Sequence, residues 1–505
     1  MSSPARVQRA ILAPQGWRGD LLALVSGAPI PLAFAPFGYY GVPVLCLVGL
    51  LWSLEGQSPR SGLWRGFLFG VSSFLGGLYW VHVSIHVFGG AALPLALVLM
   101  FALVLFMATY TAVFGWSLNR FFGRATWQRL LLGAPALWVT IEWLRGWLFS
   151  GFGWLGIGYS QSDGPLHSLL PVVGVYGASL ALCLAAAGVW ASVTLPAARR
   201  VALLPFAAVV VVALVLSRAA WTTPVGEPFS VALVQGAVPQ ELKWLPESLQ
   251  PTVDLYMNLT DDHLGADLVV WPEAAIPTAR HNLDAVFEAL LARGADSGTD
   301  FLIGAVQVDR ARDQRLNTVV ALRSDTGDES TYVKRHLVPY GEYFPVPDFV
   351  REWIRWMNLP YQDFTSGADD QPPLTVARQT VGVSICYEDV FGHELLEVLP
   401  AASVLVNVSN DAWFGGSIAP HQHLQIARAR ALEAGRMLLR ATNNGISAVI
   451  DHDGVVRGRS PQFEPYVLSA SVQGRAGATP YSRVGNWPVI TLSLLLLALA
   501  ARRAR

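Results

Sequence analysis

Long runs of apolar residues fill the first 218 positions of the chain, and a shorter run lies near its end. Because the hydrocarbon core of a bilayer is roughly 30 Å thick, a helix needs about 20 mostly apolar residues to cross it. On this scale the sequence predicts a polytopic α-helical membrane protein with eight spans, seven of them before residue 220. The predicted spans are residues 20–37, 41–55, 66–88, 91–117, 128–149, 166–195, 201–218 and 487–501.

A more polar stretch separates the seventh and eighth spans. Its apolar runs are short, continuous and rich in Val, Ile and Leu, which is typical of strands buried on both faces. They alternate with helical stretches at 281–295 and 421–440. This alternation predicts one extracytoplasmic α/β domain at 219–486, between a membrane domain at 1–218 and a last helix with a basic tail at 487–505. The predicted strands are 229–236, 266–273, 300–308, 316–324, 380–388, 402–410, 447–454 and 466–472.

The composition supports this division into apolar and polar parts. The chain of 505 residues is 53% hydrophobic and 14% charged, with a mean hydropathy of +0.41, whereas soluble domains carry about 25% charged residues. Four of the 36 acidic residues precede position 219, so the acidic residues are concentrated in the second part of the chain. The net charge of −1 provides no overall positive field for a nucleic acid.

The arginines of the apolar parts cluster in alternate connections between spans. The connections PFGYYG and VFGG contain none. Under the positive-inside rule, this distribution predicts that both termini are cytoplasmic and that residues 219–486 lie in the periplasm. The arginines that form the pattern are Arg6, Arg9, Arg18, Arg60, Arg65, Arg120, Arg124, Arg129, Arg199, Arg200, Arg502, Arg503 and Arg505.

Cys386 is the first candidate for chemistry. Cys46 and Cys183 lie in apolar runs, where we expect them to fill space between helices. Cys386 is the third and last cysteine, and it directly follows the apolar run 381–385 of the polar part. A nucleophilic cysteine needs a base. His393 is nearby, but its surroundings do not resemble a Cys–His site.

A lysine and a glutamate are further candidates. The chain has 35 Lys and Arg residues, and only Lys243 and Lys334 are lysines. A retained lysine suggests a need for a compact ammonium, which arginine cannot replace; the alternative is a solvated surface lysine. Glu273 closes the predicted strand 266–273, at the kind of strand end where α/β sheets bind ligands. Burial there would make it a better base; the alternative is a residue of a surface turn.

Three segments in this order carry a resemblance. WPE (271–273), YVKRHLVPYGEYFP (332–345) and SICYED (384–389) resemble the Glu–Lys–Cys pattern of the nitrilase superfamily. Together with the membrane spans, segments such as VALVQGAVPQELKW and NVSNDAWFG are similar to the apolipoprotein N-acyltransferase family. The resemblance implies an α-β-β-α sandwich with Cys386 as nucleophile, Glu273 as base and Lys334 as oxyanion partner.

The resemblance also implies supporting residues and substrates. Supporting roles fall to Trp244, Glu342, Tyr387 and Glu388, for which structural hydrogen bonds are the alternative; Lys243 receives no role. The implied substrates are a phospholipid acyl donor and the diacylglyceryl-modified N-terminus of a lipoprotein, handled by a monomer in the bacterial inner membrane. No cofactor is expected, because the sequence has no Cys/His set with metal spacing and no Gly-rich phosphate loop.

Other functions stay open from sequence alone. A membrane-tethered amidase or nitrilase would resolve the thioester with water, and a transporter with an outer receptor domain would use no nucleophile. The aromatic stretch 349–364, FVREWIRWMNLPYQDF, is either a loop that covers the core or a lid that dips into the bilayer interface.

Overall fold

The computed structural model describes residues 14–122, 126–344 and 363–502. Its contacts divide the chain into two compact units. Unit 1 comprises Met1–Ala220, Gly416–Gln425 and Arg483–Arg505, and unit 2 comprises Trp221–Gly415 and Ile426–Ser482. The sequence pattern places Gly416–Gln425 in the polar domain, whereas its contacts group it with the helices. Within unit 1, for example, the Trp154 indole donates to Gln422 Oε1 at 2.7 Å.

Unit 1 is helical, and each predicted span overlaps a helix. Two described helical stretches, Leu93–Phe121 and His167–Thr194, are long and apolar enough to cross a membrane. Pro59–Leu78 and Val81–Phe88 form a third if the pair, bent by 54°, is one span. The others are shorter, so eight spans stay a prediction. The described α-helices of more than five residues that lie wholly in unit 1 are Trp17–Gly27, Val42–Leu54, Pro59–Leu78, Leu93–Phe121, Ala134–Arg145, Leu170–Thr194, Leu204–Leu216 and Trp487–Arg502.

Glycines at every fourth position hold two of these helices together. A Cβ at Gly66 would lie 2.2 Å from the Thr111 carbonyl oxygen, and one at Gly62 would lie 2.4 Å from that of Gly115. Side chains larger than hydrogen would therefore force Pro59–Leu78 away from Leu93–Phe121. Small residues at such spacing are the usual interface of membrane helices, where dispersion contacts replace the hydrophobic effect.

Two arginines of the predicted charge pattern lie inside unit 1. Arg65 is buried and pairs with Asp20 at 3.0 Å. Arg129 is also buried, and its Nη1 donates to the Phe122 carbonyl at 2.9 Å. Both therefore act as internal hydrogen-bond donors, and the orientation depends on the remaining arginines. Cys46 and Cys183 are buried as expected.

Unit 2 contains two six-stranded sheets, with strand orders β13-β2-β3-β4-β5-β6 and β12-β11-β10-β9-β8-β7, and a small sheet of β1 and β14. All eight predicted strands form, but those predicted at 380–388 and 447–454 end earlier, at Ile385 and Ile450. The strands are β1 Thr222–Pro224, β2 Phe229–Gln235, β3 Leu268–Trp271, β4 Asp300–Asp309, β5 Gln314–Leu322, β6 Glu329–Val333, β7 Leu374–Val376, β8 Gln379–Ile385, β9 Val404–Ser409, β10 Leu438–Thr442, β11 Ala448–Ile450, β12 Val456–Arg459, β13 Tyr466–Val472 and β14 Arg475–Gly477.

The core of unit 2 lies between its two large sheets. Val231 and Leu233 of β2 share one buried cluster with Val381 and Val383 of β8. The other face of the first sheet packs against α-helices, which are Leu249–Asp261 and Asp284–Ser297. The two central layers and one helical layer of the predicted sandwich are therefore present.

The predicted helix at 421–440 is wrong in its second part. The helix Ala419–Ala434 ends before Gly435, whose φ of +62° is the left-handed conformation that commonly terminates helices. Leu438–Thr442 is then β10, which pairs in parallel with β9. The continuous apolar pattern did not separate a buried helix from the buried strand that follows it.

Candidate active site

Three strand ends position the predicted nucleophile, base and lysine. Glu273 follows β3 by two residues, while Lys334 directly follows β6 and Cys386 directly follows β8. β6 runs in the same direction as β3, because β5 is antiparallel to both β4 and β6. Ligands of α/β sheets bind at such carboxyl ends. The sheet topology thus explains why positions far apart in sequence meet.

A buried group of two carboxylates, one ammonium and one amide forms the centre of the site. Lys334 Nζ lies 2.8 Å from Glu342 Oε1 and 3.3 Å from Glu273 Oε1. Asn317 on β5 donates to the same two oxygens, at 3.0 and 2.7 Å. Glu273 and Lys334 are 7% and 1% exposed. Neither a surface turn nor a solvated lysine fits these values.

The two carboxylates keep Lys334 charged. Burial alone would lower the pKa of its ammonium, but Glu273 and Glu342 outweigh burial and hold the pKa well above its ordinary value. A buried ammonium that keeps its charge stabilises negative charge that develops beside it. The position suits an oxyanion partner.

Cys386 lies in a strained turn within the electrostatic reach of this group. Its φ of +53° is the left-handed region, which costs a non-glycine residue roughly 1–2 kcal/mol. Burial raises the pKa of its thiol, Glu273 raises it further, and Lys334 lowers it. The balance lies well above the ordinary value, so the resting sulfur keeps its proton. A role as nucleophile would therefore need a base that removes this proton.

Glu388 ties the cysteine segment to the lysine segment. Its Oε2 accepts from the Ile385 amide at 2.6 Å, and its Oε1 accepts from the Arg335 amide at 2.6 Å and the Tyr332 hydroxyl at 3.1 Å. These amides directly precede Cys386 and directly follow Lys334. Burial raises the Glu388 pKa to about 7. Its geometry is that of a positioning group.

The two predicted aromatic residues differ in their surroundings. Tyr387 is buried, and its ring meets those of Phe391 and His336 edge-on, with centroids 5.1 and 5.9 Å apart. Trp244 is 52% exposed and directly follows the short helix Gln240–Lys243. The stretch 349–364 lies outside the described residues except for its last two positions, so its lid or loop role stays a prediction.

The sequence analysis missed several polar residues around the site. Asn317 is a polar residue inside an otherwise apolar strand. The backbone N–H of Asn410, directly after β9, donates to Glu273 Oε2 at 3.0 Å. Asn407 on β9 donates to the Cys386 carbonyl at 3.3 Å. A buried amide inside a Val/Leu-rich strand was the available signal, since such groups need partners.

A buried ion cluster lies next to the segment that follows Cys386. Arg440 on β10 pairs with Asp389 at 3.1 Å and with Asp411 at 3.0 Å, and all three side chains are fully buried. Arg440 also donates to Asn407 Oδ1 at 2.6 Å. The cluster thus connects the turn after Cys386 with β9 and β10.

One group among the described residues has metal-ligand spacing. It comprises Asp451, His452 and Asp453, which are consecutive and partly or fully exposed. Asp451 already pairs with Arg457 and His452. Nothing in this arrangement points to a bound ion.

Two facing sheets with a cysteine, a glutamate and a lysine at their strand ends define unit 2 as a nitrilase-like carbon–nitrogen hydrolase domain. Residues 230–481 match the family described as Carbon-nitrogen hydrolase. Residues 26–188, in the helical unit, match the family described as Apolipoprotein N-acyltransferase N-terminal domain.

Full-length relatives specify the family. An "Apolipoprotein N-acyltransferase" of Methylococcus capsulatus is 42% identical, with 96% of each chain covered. One of Vibrio vulnificus is 40% identical over 96% of this chain and 97% of its own. A crystal structure of a CN-hydrolase superfamily protein from Xanthomonas campestris is 18% identical, covers 53% of this chain and 97% of its own, and has a TM-score of 0.36. The chain belongs to the apolipoprotein N-acyltransferase family, as the sequence motifs indicated.

Proposed function

We propose that this protein transfers an acyl chain from a membrane phospholipid to the α-amino group of the diacylglyceryl-modified N-terminal cysteine of lipoproteins. Family membership supports the reaction, and both family segments, the helical one and the carbon–nitrogen hydrolase one, are present. The juxtaposition of Glu273 and Lys334 beside Cys386 is the observation that carries the mechanism.

In the first half-reaction, Cys386 takes the acyl chain. Glu273 accepts the thiol proton as the sulfur attacks the ester carbonyl, so a C–S bond forms and the carbonyl oxygen becomes an oxyanion. Lys334 stabilises that charge. When the C–O bond breaks, Glu273 returns the proton to the departing oxygen of the lysophospholipid. A thioester remains at Cys386.

In the second half-reaction, the acceptor amine attacks the thioester. A C–N bond forms, Glu273 accepts the amine proton, and Lys334 again stabilises the oxyanion. Collapse breaks the C–S bond, and the sulfur recovers a proton from Glu273. Because the enzyme is acylated before the acceptor reacts, ping-pong kinetics are expected.

The supporting residues act by holding this set in place. Glu342 keeps Lys334 charged and shares Asn317 with Glu273. Glu388 fixes the two segments that present Cys386 and Lys334. Tyr387 packs beside the nucleophile, and Trp244 offers an exposed aromatic surface to the lipid substrates.

Trapping the thioester tests the mechanism. After incubation with a phospholipid of known acyl chain, intact-protein mass spectrometry should show one added acyl group on the wild-type protein. Cys386→Ala should show none, while Cys46→Ala, which changes a buried cysteine of unit 1, should behave as wild type. Turnover without acylation of Cys386 would refute the mechanism.

The acceptor step separates transfer from hydrolysis. Addition of a diacylated lipopeptide should move the acyl group onto the peptide and raise its mass by one chain. Release of free fatty acid at the same rate, with the peptide unchanged, would instead identify a membrane-tethered hydrolase.

We further propose a multi-pass arrangement in the bacterial inner membrane. Eight helices would carry a membrane domain at 1–218 and a last span at 487–505, with both termini cytoplasmic and the catalytic domain at 219–486 in the periplasm. The arginine-free loops PFGYYG and VFGG support this orientation. The reaction needs no cofactor, and one copy contains the whole nucleophile set. Single cysteines placed in these loops should react with a membrane-impermeant thiol reagent in intact spheroplasts; protection would refute the orientation.

A further inference from the structure

A second buried lysine lies beside the backbone of Glu273. Lys243 is 0% exposed, and its Nζ donates to the backbone carbonyl of Glu273 at 3.4 Å. A buried ammonium is costly unless it is paired. The chain has only two lysines, and both contact Glu273. Lys334 contacts its carboxylate, and Lys243 contacts its backbone carbonyl.

The turn that contains Lys243 has a second tie to the same glutamate. Gln240 Oε1 accepts from Asn410 Nδ2 at 2.8 Å, and the Asn410 amide donates to Glu273 Oε2 at 3.0 Å. Asn443 holds this arrangement by donating to Asn410 Oδ1 at 3.2 Å. Both ends of the one-turn helix Gln240–Lys243 are therefore bonded to the base or to its amide partner.

Three apolar residues in and directly after this turn face solvent, beside the exposed Glu241. Leu242, Trp244 and Leu245 are 46%, 52% and 39% exposed. Residues 240–245 thus combine buried polar side chains bonded to Glu273 or its partner Asn410 with exposed apolar side chains. A movement of that surface on binding an acyl chain would be transmitted to the peptide of the base.

We propose that Lys243 is a positioning residue for acyl transfer, whose ammonium ties the segment that carries Trp244 to the peptide of Glu273. The inference rests on the proposed function, since it assigns Glu273 the role of base. Lys243 touches neither the acyl group nor the sulfur in this scheme. It acts by holding Glu273 in a fixed position relative to the apolar surface around Trp244.

The environment makes this tie sensitive to pH. Burial lowers the Lys243 pKa to about 8, and the Glu273 charge opposes that shift. Among the described residues, Glu273 is the charged group that acts on this ammonium, and Glu273 itself faces Lys334 and Cys386. The Lys334 and Cys386 pKa values are raised well above 8. Lys243 is thus the member of this group that loses its charge in mildly alkaline solution.

The test measures the first half-reaction alone. The acceptor α-amine has an ordinary pKa of about 7.7–8.0 and would obscure the titration of Lys243. Acylation of Cys386 by phospholipid, followed by intact mass, avoids the acceptor. In the wild-type protein the rate should fall as pH rises through about 8. Lys243→Met should be about 10- to 100-fold slower below that pH, as expected for a slightly misplaced base, and should lack the fall.

Three further variants separate positioning from packing. Lys243→Arg keeps a charge at every pH of the assay, so its rate should show no fall above pH 8. Gln240→Leu removes the other tie and should slow acylation while it retains the fall. Glu241→Gln, an exposed neighbour on the same turn, should match wild type.

A double substitution tests the connection to the apolar surface. If Lys243 acts through the segment, Lys243→Met combined with Trp244→Ala should be little slower than the slower single variant.

The proposal is overturned if Lys243→Met acylates at the wild-type rate, if folded Lys243→Met is slow but keeps the alkaline fall, or if the two losses multiply. Should Lys243→Met not fold, persistence of the fall in Lys243→Arg overturns it. A wild-type protein that forms no thioester would refute the proposed function instead.

Discussion

Gly304 fixes the position of Glu273, and Gly304→Ala should therefore impair catalysis. Gly304 lies on β4 beside the end of β3, and its carbonyl accepts from the Ala275 amide at 3.0 Å. A Cβ at Gly304 would lie 2.1 Å from the Pro272 carbonyl oxygen and 2.7 Å from the Glu273 Cα. Both contacts are backbone atoms, which cannot rotate away.

The required displacement sets the size of the effect. Cβ contacts below 3.0 Å are essentially never seen, so the Pro272–Glu273 peptide must move by about 0.9 Å. A misplacement of about 1 Å can cost on the order of 100-fold in rate. Replacing glycine by alanine lowers the conformational entropy of the unfolded chain, which stabilises the fold by about 0.4–1 kcal/mol. Overpacking lowers the stability by typically about 1–3 kcal/mol. We expect a folded, modestly destabilised protein that acylates Cys386 about 100-fold more slowly.

Single-turnover acylation of Cys386 by phospholipid, with thermal unfolding in detergent, measures both effects. Gly458→Ala is the matched control: it also lies on a strand of unit 2, and its Cβ would meet only the end of the Leu468 side chain, at 3.2 Å. That methyl group can move, so the control should acylate normally. Wild-type acylation by Gly304→Ala would show that the close approach of β4 does not position the base.

Three other substitutions test the surroundings of the site. Arg440→Leu removes the ion-pair partner of two buried carboxylates and should cost about 3–5 kcal/mol of unfolding free energy, whereas Arg457→Leu, at an exposed ion pair, should cost much less; equal losses would contradict a buried ion cluster. Asn317→Leu removes the donor shared by two carboxylates and should slow acylation about 10-fold or more; an unchanged rate would contradict a positioning role. Burial raises the Glu388 pKa from 4.5 to about 7, so the folded protein holds a proton that the unfolded chain releases, and the free energy of unfolding should fall by about 3 kcal/mol as pH rises through that window. Glu388→Gln should flatten this dependence, and an unaltered slope would assign it to other groups.

The sequence predicted the parts of the site that depend on residue type and order. A lone cysteine after an apolar run, a glutamate at a strand end and one of two lysines were each visible as exceptions to the composition of their surroundings. The eight predicted strands followed from runs of Val, Ile and Leu, since strands buried on both faces are apolar throughout. Motif order then supplied the family.

The contacts that position these residues could not be predicted in the same way. Whether Asn317 or Asn410 reaches Glu273 depends on strand order and register, because β5 and β9 belong to different sheets. The end of the helix before Gly435 was hidden, since a buried helix and a buried strand share an apolar composition. Gly304 carries no side chain, so its close approach to Glu273 leaves no signal in a pattern of apolar and polar positions.

In the proposed mechanism, the charges of the buried site would activate Cys386 only during the reaction. The charges of Glu273 and Glu342 act on the Lys334 ammonium, and the charge of Glu273 also acts on Lys243, while the thiol stays protonated. Loss of the Cys386 proton to solvent would leave an uncompensated charge in a desolvated place, which is unfavourable. Transfer of the proton to Glu273 keeps the total charge constant, and the negative charge then moves from sulfur to the carbonyl oxygen beside Lys334. An arrangement of this kind withholds the reactive thiolate until an ester is present, and a thiol that stays protonated is also protected from oxidation, which proceeds through the thiolate.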